Sequence, residues 1–105
     1  MSRKARPKFP IFDTRDDLLD APVADTIDLH GLGAVEAEQM VLRIVENWHR
    51  RGGGVLYFIT GKGRGSVAGP VLKRKVAALL RRDLSAYVAE HAPDDAGGGF
   101  KVRVR

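Results

Sequence analysis

An alternation of polar and apolar residues over positions 26–31 ends at a glycine. A period of two residues is typical of a β-strand with one buried face. As a strand, the segment places Asp28 and His30 on one face, about 7 Å apart at a rise of about 3.3 Å per residue. Because Gly31 ends the segment, this polar pair is predicted at the carboxyl end of a strand, where open α/β sheets bind their ligands.

The next segment has the period of an amphipathic helix and runs from Gly33 to about Arg51. Its apolar stripe consists of Ala37, Val41, Ile44, Val45 and Trp48. Acidic residues near the start and arginines near the end suit the helix dipole, and Gly52 is a natural stop. Trp48 is therefore interpreted as a core anchor, with base stacking as the alternative.

A continuous apolar run from Val55 to Ile59 predicts a strand that is covered on both faces. A strand, a helix and a strand at this spacing form a βαβ unit with parallel strands and a right-handed crossover. The carboxyl ends of neighbouring parallel strands share one edge of the sheet. Asp28 and His30 are therefore expected beside the residues that follow Ile59.

Residues 60–66, which follow this strand, alternate glycines with cations. Alternate glycines let successive backbone N–H groups point into one concavity, and the cations add positive charge there. The candidates for phosphate contact in this loop are Gly61, Lys62, Gly63, Arg64, Gly65 and Ser66. The loop is neither a Walker A sequence nor a dinucleotide fingerprint. A turn with unliganded surface cations is the alternative.

A second helix is predicted to begin at Gly69–Pro70, where proline is tolerated at the first helical position. Its buried stripe consists of Leu72, Val76, Leu79 and Leu80. Its amino end follows the glycine loop and adds to anion affinity there, which makes Lys73 a further candidate for phosphate contact. Strands are predicted around 86–90 and from Phe100 onward, with a loop at 93–98 between them. His49 and His91 have no predicted partner.

Length and composition narrow the function classes. The chain has 105 residues, which suits one domain, and it has no cysteine, which excludes disulfides and thiol chemistry. With neither a membrane-length apolar run nor a signal peptide, we expect a cytoplasmic protein without a membrane partner. Residues 1–23 are interpreted as an extended arm, basic and then acidic, with one short helix near 15–20. Residues 24–105 form the domain.

The charge distribution indicates a class of binding partner. The net charge is +5, and residues 52–82 contain seven basic residues and no acid. A polyanion such as nucleic acid fits this stretch, and ordinary solvated helix surface is the alternative.

Together these motifs resemble the Smr (small MutS-related) domain family over roughly residues 24–105. Residues 27–31 correspond to the family's LDLHG string and residues 60–63 to its TGKG string. Residues 69–73 are similar to the family's helix start, and residues 97–102 precede the last strand as in relatives. One departure is Gly65 before Ser66, where family members often have histidine before the serine.

The resemblance implies an α/β fold, a two-layer sandwich with βαβαββ order, a mixed sheet and two main helices. It also implies similarity to the C-terminal domain of translation initiation factor three. Some family members nick or cleave DNA, and others resemble RNA nucleases, including ones that act at stalled ribosomes. Carried over by position, the functional motifs fall on Asp28, His30 and the glycine loop.

The expected activity is endonucleolytic cleavage of phosphodiester bonds, with Asp28, His30 and Lys62 as the catalytic residues. His30 is expected to act as general base or acid. Asp28 is expected either to orient His30 or to bind a divalent ion such as Mg²⁺ or Mn²⁺; no cofactor is otherwise expected. The protein is expected to be a monomer. The alternative function is a module that binds DNA, RNA or ribosomal surface without cutting. The purely structural alternative for Asp28 and His30 is a mutual bond that only caps the backbone.

Overall fold

The computed structural model describes residues 18–61, 69–94 and 97–105. Within them, six helices and strands follow one another in βαβαββ order. They are β1 (Asp25–Asp28), α1 (Ala34–Arg50), β2 (Gly54–Ile59), α2 (Gly69–Arg81), β3 (Val88–Pro93) and β4 (Gly99–Val104). The four strands form one mixed sheet in the order β1-β2-β4-β3.

The predicted βαβ unit is present, with β1 and β2 as adjacent parallel strands. Asp28 pairs with Ile59, so the two strands end at the same edge of the sheet. We call this the site edge. Strand β4 is antiparallel to both β2 and β3 and begins at the site edge, where Gly99 pairs with Ile59. The opposite edge, where Gly54 pairs with Val104, is called the far edge.

Both helices bury the stripes that their periodicity predicts. In α1, Ala37, Val41 and Val45 are fully buried, and Ile44 and Trp48 pack partly buried against the same core. In α2, Leu72, Val76, Leu79 and Leu80 are buried. Alternate residues of the sheet complete this core, among them Leu56 and Phe58 of β2 and Val102 of β4. The α/β two-layer fold is thus confirmed.

The other face of the sheet is covered by the first described residues. Leu18 is fully buried and packs with Val55 and Ala92. Lys101 of β4 donates hydrogen bonds to the carbonyls of Leu19 and Ala21, at 2.6 and 2.5 Å. Lysine at the end of a helical turn satisfies carbonyls that have no partner within the helix. The ammonium group of Lys101 is therefore used within the protein.

Two predicted strand boundaries are wrong. The third strand lies at Val88–Pro93 rather than around 86–90, and Pro93 ends it instead of starting a loop. A proline fits there because β3 is an edge strand, on which a missing N–H breaks no ladder bond. Strand β1 ends at Asp28, so His30 lies in a turn.

Candidate functional site

The turn that follows β1 brings Asp28 and His30 into direct contact. Oδ1 of Asp28 accepts the backbone N–H of His30 at 3.0 Å and lies 2.5 Å from Nδ1 of the same residue. A carboxylate that bonds the backbone two residues onward forms an Asx turn, which competes with continued strand pairing. The predicted separation of about 7 Å on a strand face is thus wrong, because it assumed a strand through His30.

The contact affects the ionisation of Asp28. Hydrogen bonds from the His30 side chain and then from its backbone hold the pKa of Asp28 below its usual value. An ionised carboxylate only accepts hydrogen bonds, so Nδ1 of His30 is assigned as the donor. In a neutral imidazole, Nε2 is then the acceptor. The two side chains are 67% and 53% exposed for His30 and Asp28, so this basic nitrogen belongs to a solvent-accessible group.

The start of the glycine loop lies beside the pair. The N–H of Leu29 donates to the carbonyl of Ile59 at 2.7 Å and so extends the β1–β2 pairing past the end of the strands. Gly61 has φ +91°, and a β-carbon built on it would lie 3.7 Å from Cβ of His30. The side-by-side placement expected for the two motifs is therefore present up to Gly61.

Three described residues between β3 and β4 close the site edge from the other side: Asp94, Gly97 and Gly98. We call them the β3–β4 turn. The carbonyl of Gly98 accepts the backbone N–H groups of Thr60 and Gly61, at 2.9 and 3.1 Å. Lys73, in the first turns of α2, has its Nζ 3.7 Å from where a β-carbon on Gly97 would lie. The structure therefore places Lys73, as well as Gly61, in the same edge region as the turn after β1.

Five of the predicted site residues fall outside the described residues: Lys62, Gly63, Arg64, Gly65 and Ser66. Their roles stay predictions, as do those of Asp28, His30, Gly61 and Lys73. Conversely, Asp94 and Gly98 were not predicted to lie at the site. The sequence from Pro93 to Gly98 is typical of a turn, but nothing in it predicts that Gly98 contacts Thr60 and Gly61.

The described residues contain no group of three or more histidine and carboxylate side chains positioned to share a metal ion. At this edge, Oδ1 of Asp28 already receives two hydrogen bonds from His30. Of the two roles expected for Asp28, this contact corresponds to orienting His30. What the arrangement offers chemically is an oriented, exposed imidazole close to the glycine backbone at Gly61, with a lysine beside Gly97 of the neighbouring turn.

The fold and this edge define a small α/β domain whose polar groups collect where two parallel strands end. Comparison with protein families agrees with the resemblance seen in the sequence motifs, since the Smr domain family matches residues 27–104. The chain belongs to the Smr domain family. A comparison with curated proteins finds no match. No helix in the part of the chain that the structure describes is long and apolar enough to cross a membrane.

Proposed function

We propose that this protein is an endonuclease that cleaves phosphodiester bonds of nucleic acid at the site edge. Membership of the Smr domain family indicates nucleic-acid binding. The observation that supports cleavage is the contact between Asp28 and Nδ1 of His30, 2.5 Å long, next to the first glycine of a basic loop. A carboxylate that orients a histidine through Nδ1 leaves Nε2 to act on substrate, as in catalytic triads.

RNA suits these groups best, because its 2′-hydroxyl supplies a nucleophile. Nε2 of His30 takes the 2′-hydroxyl proton as the 2′-oxygen bonds to the neighbouring phosphorus and the bond to the 5′-oxygen breaks. The leaving 5′-oxygen takes a proton from water, and His30 then releases its extra proton to the solvent. The products are a 2′,3′-cyclic phosphate and a 5′-hydroxyl. General base catalysis of this kind contributes about 10²–10⁴-fold to a rate.

Basic side chains of the glycine loop and of α2 stabilise the negative charge that develops on the phosphate. Lys73 lies by Gly97 at the same edge, and Lys62 and Arg64 belong to the loop that starts at Gly61. Preorganised donors act on such charge with little rearrangement during reaction. Lys62 is assigned to catalysis, and Lys73, Arg64 and the loop backbone to phosphate binding.

The experiment is a cleavage assay with structured RNA and with supercoiled plasmid, each with and without a chelator. We expect RNA cleavage that His30→Ala reduces by about 10²-fold or more. His49→Ala is the matched control, because His49 bonds the carbonyl of Arg105 at the far edge. Asp28→Asn is expected to reduce the rate as well, and Asp25→Asn, at the other end of β1, to leave it unchanged.

Cleavage of neither substrate above the His30→Ala background would refute the endonuclease. A chelator-sensitive reaction would instead assign Asp28 to a divalent ion. Cleavage of plasmid alone would make DNA the substrate.

A second candidate is a module that binds DNA, RNA or ribosomal surface without cutting. Gly65 favours it, since many relatives have a histidine at that point of the loop, a potential second acid–base group. Binding that persists without cleavage and weakens steeply with salt is its signature. The monomeric state and the cytoplasmic location stay predictions under either function.

A further inference from the structure

The hydroxyl of Tyr57 donates a hydrogen bond to Oδ2 of Asp94, across the end of the sheet. Tyr57 is in β2, between the core residues Leu56 and Phe58, so its side chain lies on the face away from the helices. Its ring passes over Gly99, where an added β-carbon would lie 3.0 Å from Cε1 of Tyr57. The contact with Asp94 raises the pKa of the Tyr57 hydroxyl to about 12.

Asp94 in turn closes the β3–β4 turn. Its Oδ1 and its backbone carbonyl both accept the N–H of Gly97, at 2.9 and 3.0 Å. Its own N–H donates to the carbonyl of Gly99 at 2.9 Å. The carboxylate thus uses one oxygen for the turn and the other for Tyr57. Through that second bond the turn is tied to the central strand β2.

This turn is the one that contacts the candidate site. The Gly98 carbonyl, one residue after Gly97, holds the N–H groups of Thr60 and Gly61. Gly61 is packed next to His30, and Lys73 lies next to Gly97. Thr60 is 1% exposed, so its N–H has no access to water as a replacement partner. A shift of the turn therefore moves or unpairs the first residues of the glycine loop.

We propose that Tyr57 and Asp94 are positioning residues, which hold the β3–β4 turn so that Gly61 keeps its place beside His30 and Lys73 its place beside Gly97. This inference rests on the proposed endonuclease function for its kinetic consequence, but its structural part is tested independently. Neither residue is proposed to contact the scissile phosphate. Their effect passes through Gly97 and Gly98.

The structural test is amide hydrogen exchange measured by NMR in Tyr57→Phe. Loss of one bond to a charged acceptor is expected to increase exchange at Thr60 and Gly61 about tenfold. The N–H of Leu29, which bonds Ile59 rather than the turn, is the internal reference and is expected to stay unchanged. The matched variant is Tyr87→Phe, the same chemical change in the residue that packs on His49 at the far edge.

Asp94→Asn provides a second variant, in which the side chain keeps its shape but loses its charge. If Tyr57 and Asp94 act as one unit, the double variant is expected to exchange no faster at Gly61 than the more affected single variant. Unchanged exchange at Thr60 and Gly61 in both single variants would overturn the proposal. Equal acceleration at Leu29 would also overturn it, because the effect would then be general loosening of the sheet.

The functional test is single-turnover RNA cleavage at a temperature where circular dichroism shows every variant folded. At saturating RNA, Tyr57→Phe is expected to cleave about tenfold more slowly than Tyr87→Phe, because the turn orders reacting groups. It is also expected to need more RNA to reach half its maximal rate, because the turn contacts Lys73, which is assigned to phosphate binding. Equal rates for the two variants would refute positioning while leaving the endonuclease intact. A wild-type protein that cleaves nothing would refute the endonuclease, and the exchange experiment would still decide the structural part.

Discussion

The two edges of the sheet each contain a histidine bonded through Nδ1, and they differ in what accepts that bond. At the site edge His30 faces the carboxylate of Asp28, at 2.5 Å. At the far edge His49 donates to the backbone carbonyl of Arg105, at 2.8 Å, and packs on Tyr87 with ring centroids 4.6 Å apart. His30 thus bonds the side chain of a residue two positions away, whereas His49 bonds the backbone of a residue 56 positions away. The bond at the site edge therefore orients an exposed imidazole, and the bond at the far edge joins the end of α1 to the residue after β4.

The tyrosines repeat this contrast. Tyr57 bonds the carboxylate of Asp94, which holds the turn at the site edge, whereas Tyr87 contacts His49 at the far edge. The far edge is also closed by backbone contact, since Gly53 lies against the last residues of the chain. Among the described residues, the site edge thus has bonded side-chain pairs that include carboxylates, whereas the far edge has close backbone packing.

The largest expected effect is the loss of stability caused by a substitution at the far edge. In Gly53→Ala, the added methyl would collide with the backbone of Val104 and Arg105, and φ is +92°. We expect a loss of roughly 3 kcal/mol or more in the free energy of unfolding, from overpacking and a left-handed backbone together. Gly61→Ala also has a positive φ, but among the described residues it meets only Cβ of His30, in ordinary contact. It is expected to lose about 1–2 kcal/mol. Urea denaturation measures both, and equal losses would contradict the contrast in packing.

The next effect is on tyrosine ionisation. Of the chain's two tyrosines, Tyr57 is expected to ionise near pH 12, against an ordinary value of 10.0, because its hydroxyl bonds the Asp94 carboxylate. A raised pKa means that the bond stabilises the fold fully below pH 10 and that this contribution is lost as the pH rises through about 12. In a titration followed by tyrosine absorbance, the late component, which is the ionisation near pH 12, should be absent from Tyr57→Phe and present in Tyr87→Phe. A late component that survives Tyr57→Phe would refute the assignment.

The third prediction concerns Lys73, which lies at the site edge, and Lys75, which is exposed on the same helix. Lys73→Ala is expected to weaken RNA binding about tenfold at low salt and to reduce the salt slope of log K by about 1, since one phosphate contact is lost. Lys75→Ala removes the same charge and serves as the control. Fluorescence anisotropy at several salt concentrations measures both. Equal effects would show that general helix charge, and not the site edge, binds RNA.

The smallest expected effect is on the Asp28 carboxyl. His30→Ala removes the side-chain bond that lowers the pKa of Asp28, so this pKa is expected to rise toward 3.8, while His49→Ala leaves it unchanged. With the pKa depressed, the pair stabilises the fold above about pH 4 and loses this contribution as the pH falls through the depressed value. NMR titration of the carboxyl carbon measures the shift. An unmoved pKa in His30→Ala would mean that the pair is not coupled in solution.

Local sequence periodicity determined much of this fold. The helix stripes, the parallel pairing of β1 with β2 and the shared strand edge all follow from contacts within short stretches and from the handedness of one crossover. The proximity of Asp28, His30 and Gly61 was predictable for the same reason. The direct bond between Asp28 and His30 was predicted only as one alternative, because a period of two cannot show whether Asp28 continues the strand or caps a turn.

Only the tertiary structure decided what lies beside β2 on its other side. The alternation of β4 fits any neighbouring strand, and its central place depends on pairing over some forty residues of chain. That pairing brings the turn at Asp94 to Tyr57, the Gly98 carbonyl to Gly61, and Gly97 to Lys73. These are contacts between residues far apart in the chain, whose energies depend on the assembled sheet. The sequence by itself therefore predicts where the site lies, and tertiary packing determines what holds it in place.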